Sequence, residues 1–234
     1  MVGTNFFFRA AFTFTNIIYS AIATNTLQYS PSLNFIANCK ELLKNKNVLL
    51  FLVTYFLYID GVGTIYTMAA PIATDIGITT SQLMAVILGL QFLAFPCTLL
   101  YGRLTNTFHP RNLILFAIGI YFLISILALL LGLPCCREYR LHIFIMLAVL
   151  IGTSQGGIQS LSRSLFSRIV PSRKAAEFFG FYNLFGKFTT IVGPVLIGFA
   201  TALWGKAEFG ITLLAIPFIL GAVLLTKVDF RPVR

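Results

Sequence analysis

Residues 113–133 read LILFAIGIYFLISILALLLGL, a run without one charged side chain. At 1.5 Å per residue, an α-helix needs about 20 mostly apolar residues to cross a hydrocarbon core of about 30 Å. A membrane-spanning strand would need segments of about ten residues that alternate apolar with polar. This run does not alternate, so it predicts a transmembrane helix.

Five more segments of the same kind flank it. Working outward, the six predicted spans are Val48–Ile72, Leu83–Arg103, Asn112–Leu133, Leu141–Leu161, Phe178–Leu203 and Phe209–Thr226. The fold class that follows is an all-α integral membrane protein of six transmembrane helices, occupying residues 41–234. The composition agrees: 58% of the 234 residues are hydrophobic and 10% charged, where a soluble domain runs closer to 45–50% and 25%. The lipid bilayer is therefore the first partner implied, as the apolar solvent for 24 phenylalanines.

Residues 1–40 fit no span. FFFRAAFTFTNIIYSAIATNTLQYSPSLNF (residues 6–35) is apolar in patches, broken by Arg9 and by Asn, Thr and Ser. A signal peptide would place its positive charge first and a clean apolar core after it. The expectation is an interfacial or poorly ordered leader, or the remains of a linker.

The net charge of +10 does not point to nucleic acid, which needs a continuous basic surface. The basic residues sit in short clusters between apolar runs. Lys40, Lys44, Lys46, Arg103, Arg111, Arg163, Arg168, Arg173, Lys174, Lys227, Arg231 and Arg234 fall on one side of the bundle, and Arg137, Arg140 and Lys206 on the other. Twelve against three places both ends of the bundle in the cytoplasm by the positive-inside rule. Short loops favour a bacterial inner membrane.

No enzyme, metal or cofactor signature accompanies these spans. HExxH, GxSxG and a phosphate loop are missing, and the four cysteines and two histidines have no ligand spacing. Cys135 and Cys136 are adjacent, where a bridge would strain the peptide between them.

The informative residues are polar ones inside spans, which are costly in lipid and mark function or helix contacts. Asp60 in span one and Lys187 in span five lie about 18 Å and about 14 Å from the same face by helical rise. They are a substrate- or proton-coupling pair, or a buried ion pair that keeps two helices in register, or two charges each satisfied by backbone and water. Gln155 and Gln159 in span four, Asn183 in span five and Gln91 in span two complete the candidate binding or coupling set. Spans three and six offer only Ser125 and Thr212, which suggests a cavity lined by spans one, two, four and five. Gly152, Gly156, Ser160 and Ser164 repeat every four residues in span four, a spacing that lets helices approach closely. Pro96, Gly193–Pro194 and Pro217 mark bends.

Three stretches carry a family likeness: FLVTYFLYIDGVGTIYTMAA (51–70), QGGIQSLSRSLFSRIVP (155–171) and AEFFGFYNLFGKFTTIVGP (176–194). They resemble the vacuole-effluxer-like branch of the major facilitator superfamily. GRLTNTFHPR (102–111) looks like that superfamily's loop signature, with Asn106 where an Asp is usual and His109 where a Gly is usual. The resemblance implies the carboxy-terminal six-helix half of a twelve-helix carrier. Asp60, Gln155, Gln159, Asn183 and Lys187 stand on matching stretches. It implies alternating-access secondary transport of a small polar solute, amino acids being the class associated with fungal relatives. The partner it implies is a second six-helix half, from another copy or a separate chain. The rival is a non-transporting remnant or helical interaction module from a split transporter gene.

Overall fold

The computed structural model describes residues 45–75, 77–171, 175–204 and 207–230. The leader 1–40 with Arg9 and Cys39, and the charges Lys40, Lys44, Arg173, Lys174, Lys206, Arg231 and Arg234, lie outside the described residues.

The predicted spans fold as helices, and several run further than the apolar runs that announce them. Span one is Lys46–Asp75, span two Thr80–Leu104, span four Arg140–Ile169 and span five Ala175–Trp204. Span three is Pro110–Leu127 continued by Leu129–Gly132, and span six is Ala207–Leu213 continued by Ala215–Lys227. Five of these are long and apolar enough to cross a membrane over the described residues. The helix of span five is 30 residues, or about 45 Å, with the shorter apolar stretch Gly193–Ala202 among its described residues. The protein is an all-α membrane protein.

Local chemistry sets several boundaries. Thr79 opens span two with a capping box: its backbone N–H donates to Gln82 Oε1 at 3.0 Å, and its hydroxyl accepts from the Gln82 N–H at 3.4 Å. His109 opens span three, its Nδ1 accepting from the Arg111 N–H at 3.3 Å, with Pro110 at the first helical position. A proline ring crowds the carbonyl four residues earlier. For Pro217 that is Leu213, where the first segment of span six stops.

The helices pack as two three-helix units. Span two packs chiefly on span four, and span five on span one; span three leans on four, and span six on one. Spans three and six meet, as do one and four. Exchanging one with four, two with five and three with six reproduces these contacts; span five also packs on the first segment of span six, which spans two and three do not match among the described residues. Because span one and span four start from opposite ends, this is an inverted repeat of the kind secondary carriers use. Span one is central, with 67% of its apolar stretch buried against 11% for span two.

Both ends of the bundle meet at one side. Asn47, opening span one, donates from Nδ2 to the Asp229 carbonyl at 2.6 Å and accepts from the Asp229 N–H at 2.9 Å. Arg111 donates from Nη2 to the Thr226 carbonyl at 3.0 Å, tying span three to span six. This side carries Lys46, Arg103, Arg111, Arg168 and Lys227 and is called the basic end below.

Candidate functional site

The six candidate residues form a polar band. Measured along their helices from the basic end at 1.5 Å per residue, Asp60 and Gln155 lie about 21 Å in and Gln91 about 20 Å. Lys187 lies about 18 Å in, Gln159 about 15 Å and Asn183 about 12 Å. Four different helices therefore bring polar side chains to one level near mid-membrane.

Asp60 is buried, 4% exposed, and it faces span five. Its Oδ1 accepts a hydrogen bond from the backbone N–H of Gly193 at 3.1 Å. Gly193 precedes Pro194, which has no N–H and disturbs the helical bonding around it. The bond ties span one to the main chain of span five immediately before the proline. This hydrogen bond of Asp60 goes to the main chain of the helix that carries Lys187, in keeping with the backbone satisfaction that the sequence leaves open.

Gln91 donates from Nε2 to the Tyr66 hydroxyl at 3.4 Å, joining spans two and one. Tyr58 and Ser162 share a buried hydrogen bond of 2.7 Å between spans one and four. Gln91 and Gln155 are half-buried, whereas Gln159, Asn183 and Lys187 are exposed on the surface of the bundle. Below them, toward the basic end, an aromatic cluster closes the junction of spans one, four and five. Tyr55 stacks on Tyr182 with centroids 4.1 Å apart, Phe166 on Tyr182 at 5.0 Å, and Phe51 on Phe166 at 5.6 Å.

Arg163 is a site residue that the sequence does not single out: it lies past the apolar run Leu141–Leu161, but the helix continues to Ile169. Arg163 Nη2 donates to Asn183 Oδ1 at 3.4 Å. The four-residue spacings Gln159–Arg163 and Asn183–Lys187 were the available signal, since residues one turn apart share a face.

The glycine stripe is a contact surface. A Cβ at Gly156 would run into Thr98 of span two, and one at Gly157 would lie 2.5 Å from the Tyr101 ring. Ser125 and Thr212 also resolve. The Thr212 hydroxyl donates to the Ser125 carbonyl at 3.3 Å, so the polar residues of spans three and six meet each other, away from the band.

The band offers amide donors and acceptors, cations and one carboxylate, which suits hydrogen bonding to a polar solute. Residues 12–233 match the family described as vacuole effluxer Atg22 like. The chain belongs to that family, in the major facilitator superfamily. It is 42% identical over 189 residues to the uncharacterized MFS-type transporter YxiO of Bacillus subtilis, covering 81% of this chain and 42% of YxiO. It is 30% identical over 169 residues to autophagy-related protein 22 of Eremothecium gossypii, covering 67% of this chain and 32% of that protein. Autophagy-related protein 22-2 of Penicillium rubens is 25% identical over 200 residues, with 81% and 33% covered. The chain thus spans less than half the length of these relatives. The Atg22-like family is one of transporters, not enzymes.

Proposed function

We propose that this chain is one six-helix half of a secondary transporter for a small polar solute. It works by alternating access against a second six-helix half, supplied by another copy or a separate chain. The solute path runs along spans one, two, four and five, where Asp60, Gln91, Gln155, Gln159, Asn183 and Lys187 bind solute or couple its movement. Asp60 and Lys187, at nearly one depth, are the coupling pair. Amino acids fit the amide-rich lining and are the solute class proposed. The basic end faces the cytoplasm, in a bacterial inner membrane.

The observation that carries this reading is the exposure of Gln159, Asn183 and Lys187 about 12–18 Å inside the bundle. Polar groups at that depth are costly against lipid, so water or protein covers this face. Carriers of this architecture place their solute site at the interface between halves.

Extraction of the tagged chain into native nanodiscs, followed by mass measurement, tests the proposal. The expected result is a complex that contains the 25.9 kDa chain with a second copy or another membrane chain. A lone chain of 25.9 kDa would contradict it.

A further inference from the structure

The exposed Gln159, Asn183 and Lys187 and the half-buried Arg163 of spans four and five form a ladder rather than a patch. Arg163 lies about 9 Å from the basic end of its helix, Asn183 about 12 Å, Gln159 about 15 Å and Lys187 about 18 Å. On span four, Gln159 and Arg163 are one turn apart; on span five, Asn183 and Lys187 are. The two strips are joined by the Arg163 to Asn183 hydrogen bond of 3.4 Å.

The sign of charge on this ladder is one-sided. Its ionic members are Arg163 and Lys187. Among the described residues, the acid at comparable depth is Asp60, which is buried and turned onto the Gly193 N–H. Glu177 stands in the first turn of span five, about 9 Å closer to the basic end than Asn183. By helical rise Arg163 lies level with the aromatic cluster, between Phe166 at about 5 Å and Tyr55 at about 14 Å from the basic end. A guanidinium has five N–H donors in a planar fork matched to a carboxylate, and Asn183 Oδ1 takes one. A cleft lined by one sign of charge between low-dielectric walls concentrates the opposite ion.

We propose that Arg163 is a solute-binding residue, acting with Asn183 and Lys187 to receive an anionic group, so that the solute carries a carboxylate or a comparable anion. This rests on the reading that the face lines the solute path. Arg163 meets the anion at the basic-end mouth and Lys187 about 9 Å deeper, which gives the anion two successive positions.

The test reads the electrostatics of the ladder without needing the solute. Gln159→Cys is placed in a background with Cys39, Cys97, Cys135 and Cys136 changed to Ser, and the chain is reconstituted in nanodiscs. Rates of reaction are measured with anionic methanethiosulfonate ethylsulfonate and with cationic methanethiosulfonate ethyltrimethylammonium. Each rate is normalised to that with free 2-mercaptoethanol. The expected result is an anion-to-cation ratio of about ten or more, falling about tenfold in Arg163→Gln and retained in Arg163→Lys, as one charge a helical turn away should produce. A melting temperature for each variant separates a folded protein from a collapsed one. A ratio near one, or a ratio unmoved by Arg163→Gln, overturns the anion site and leaves the water-filled path standing. No reaction with either reagent overturns both.

Discussion

Two helix crossings, span two on span four and span five on span one, occupy equivalent places in the inverted repeat and are built differently. Each sets a glycine against a threonine: Gly156 against Thr98 in the first, Gly193 against Thr64 in the second. In both, the threonine hydroxyl is turned back onto its own helix, Thr98 to the Ala94 carbonyl and Thr64 to the Asp60 carbonyl, each at 2.7 Å. The methyl and Cβ are left to pack. Beyond that the crossings diverge. The first is extended by Gly152, where a Cβ would lie 3.3 Å from the Leu90 carbonyl oxygen, and by Gly157 against Tyr101. It is a close-packed seam of small residues. The second adds the Asp60 to Gly193 bond beside Pro194 and the Tyr55–Tyr182 stack. One crossing is a seam of small residues; the other adds a buried carboxyl bonded to the main chain beside a proline.

The comparison breaks most readily at the seam. Gly156→Leu should destabilise the protein toward the top of the range of about 1–3 kcal/mol for overpacking, seen as a lower melting temperature in detergent. An unchanged melting temperature would mean that span two is not seated there. At the second crossing, Asp60→Ala should cost about 1.5–3 kcal/mol, the value of a hydrogen bond to a charged group. Asp60→Asn, which keeps an acceptor, should cost less by the same assay. Combining Asp60→Asn with Lys187→Gln sharpens this. If the two act as a coupling pair, the double variant should fall short of additivity by more than about 0.5 kcal/mol; strict additivity would leave the Gly193 bond as the stabilising role of Asp60. Tyr58→Phe removes the bond to Ser162 between spans one and four and should cost about 1 kcal/mol. Thr98→Val keeps the shape and loses a bond within one helix, so its cost should be the smallest, below about 1 kcal/mol.

The spans were legible because lipid imposes a length and a composition that the chain cannot disguise. The run 113–133 and its five companions each became a helix. The close-packing role of Gly152 and Gly156 was legible too, since four-residue spacing of small side chains has one geometric meaning. Arg163 was not. A helix of 30 residues is about 45 Å long and overhangs the hydrocarbon core, so a charge near its end reads as loop while standing on the helix face. A backbone partner for Asp60 was legible as an alternative, but not which one, because a main-chain N–H has no residue type of its own, whereas Lys187 advertised a charge. The substitution of His109 in the loop signature makes sense only in three dimensions, where its Nδ1 caps span three.

The central claim is that the exposed face of spans four and five meets water or a second half, while spans three and six meet lipid. Nitroxide labels at Gln159→Cys and at Leu123→Cys, an exposed apolar position of span three, sample comparable depths in a bilayer. Their collision rates with dissolved oxygen and with a water-soluble nickel chelate test the claim directly. The account predicts a label at 159 that collides with the nickel chelate or is shielded from both reagents, and a label at 123 that collides with oxygen alone. Oxygen-dominated collision at both positions would place the polar ladder in lipid and contradict the account.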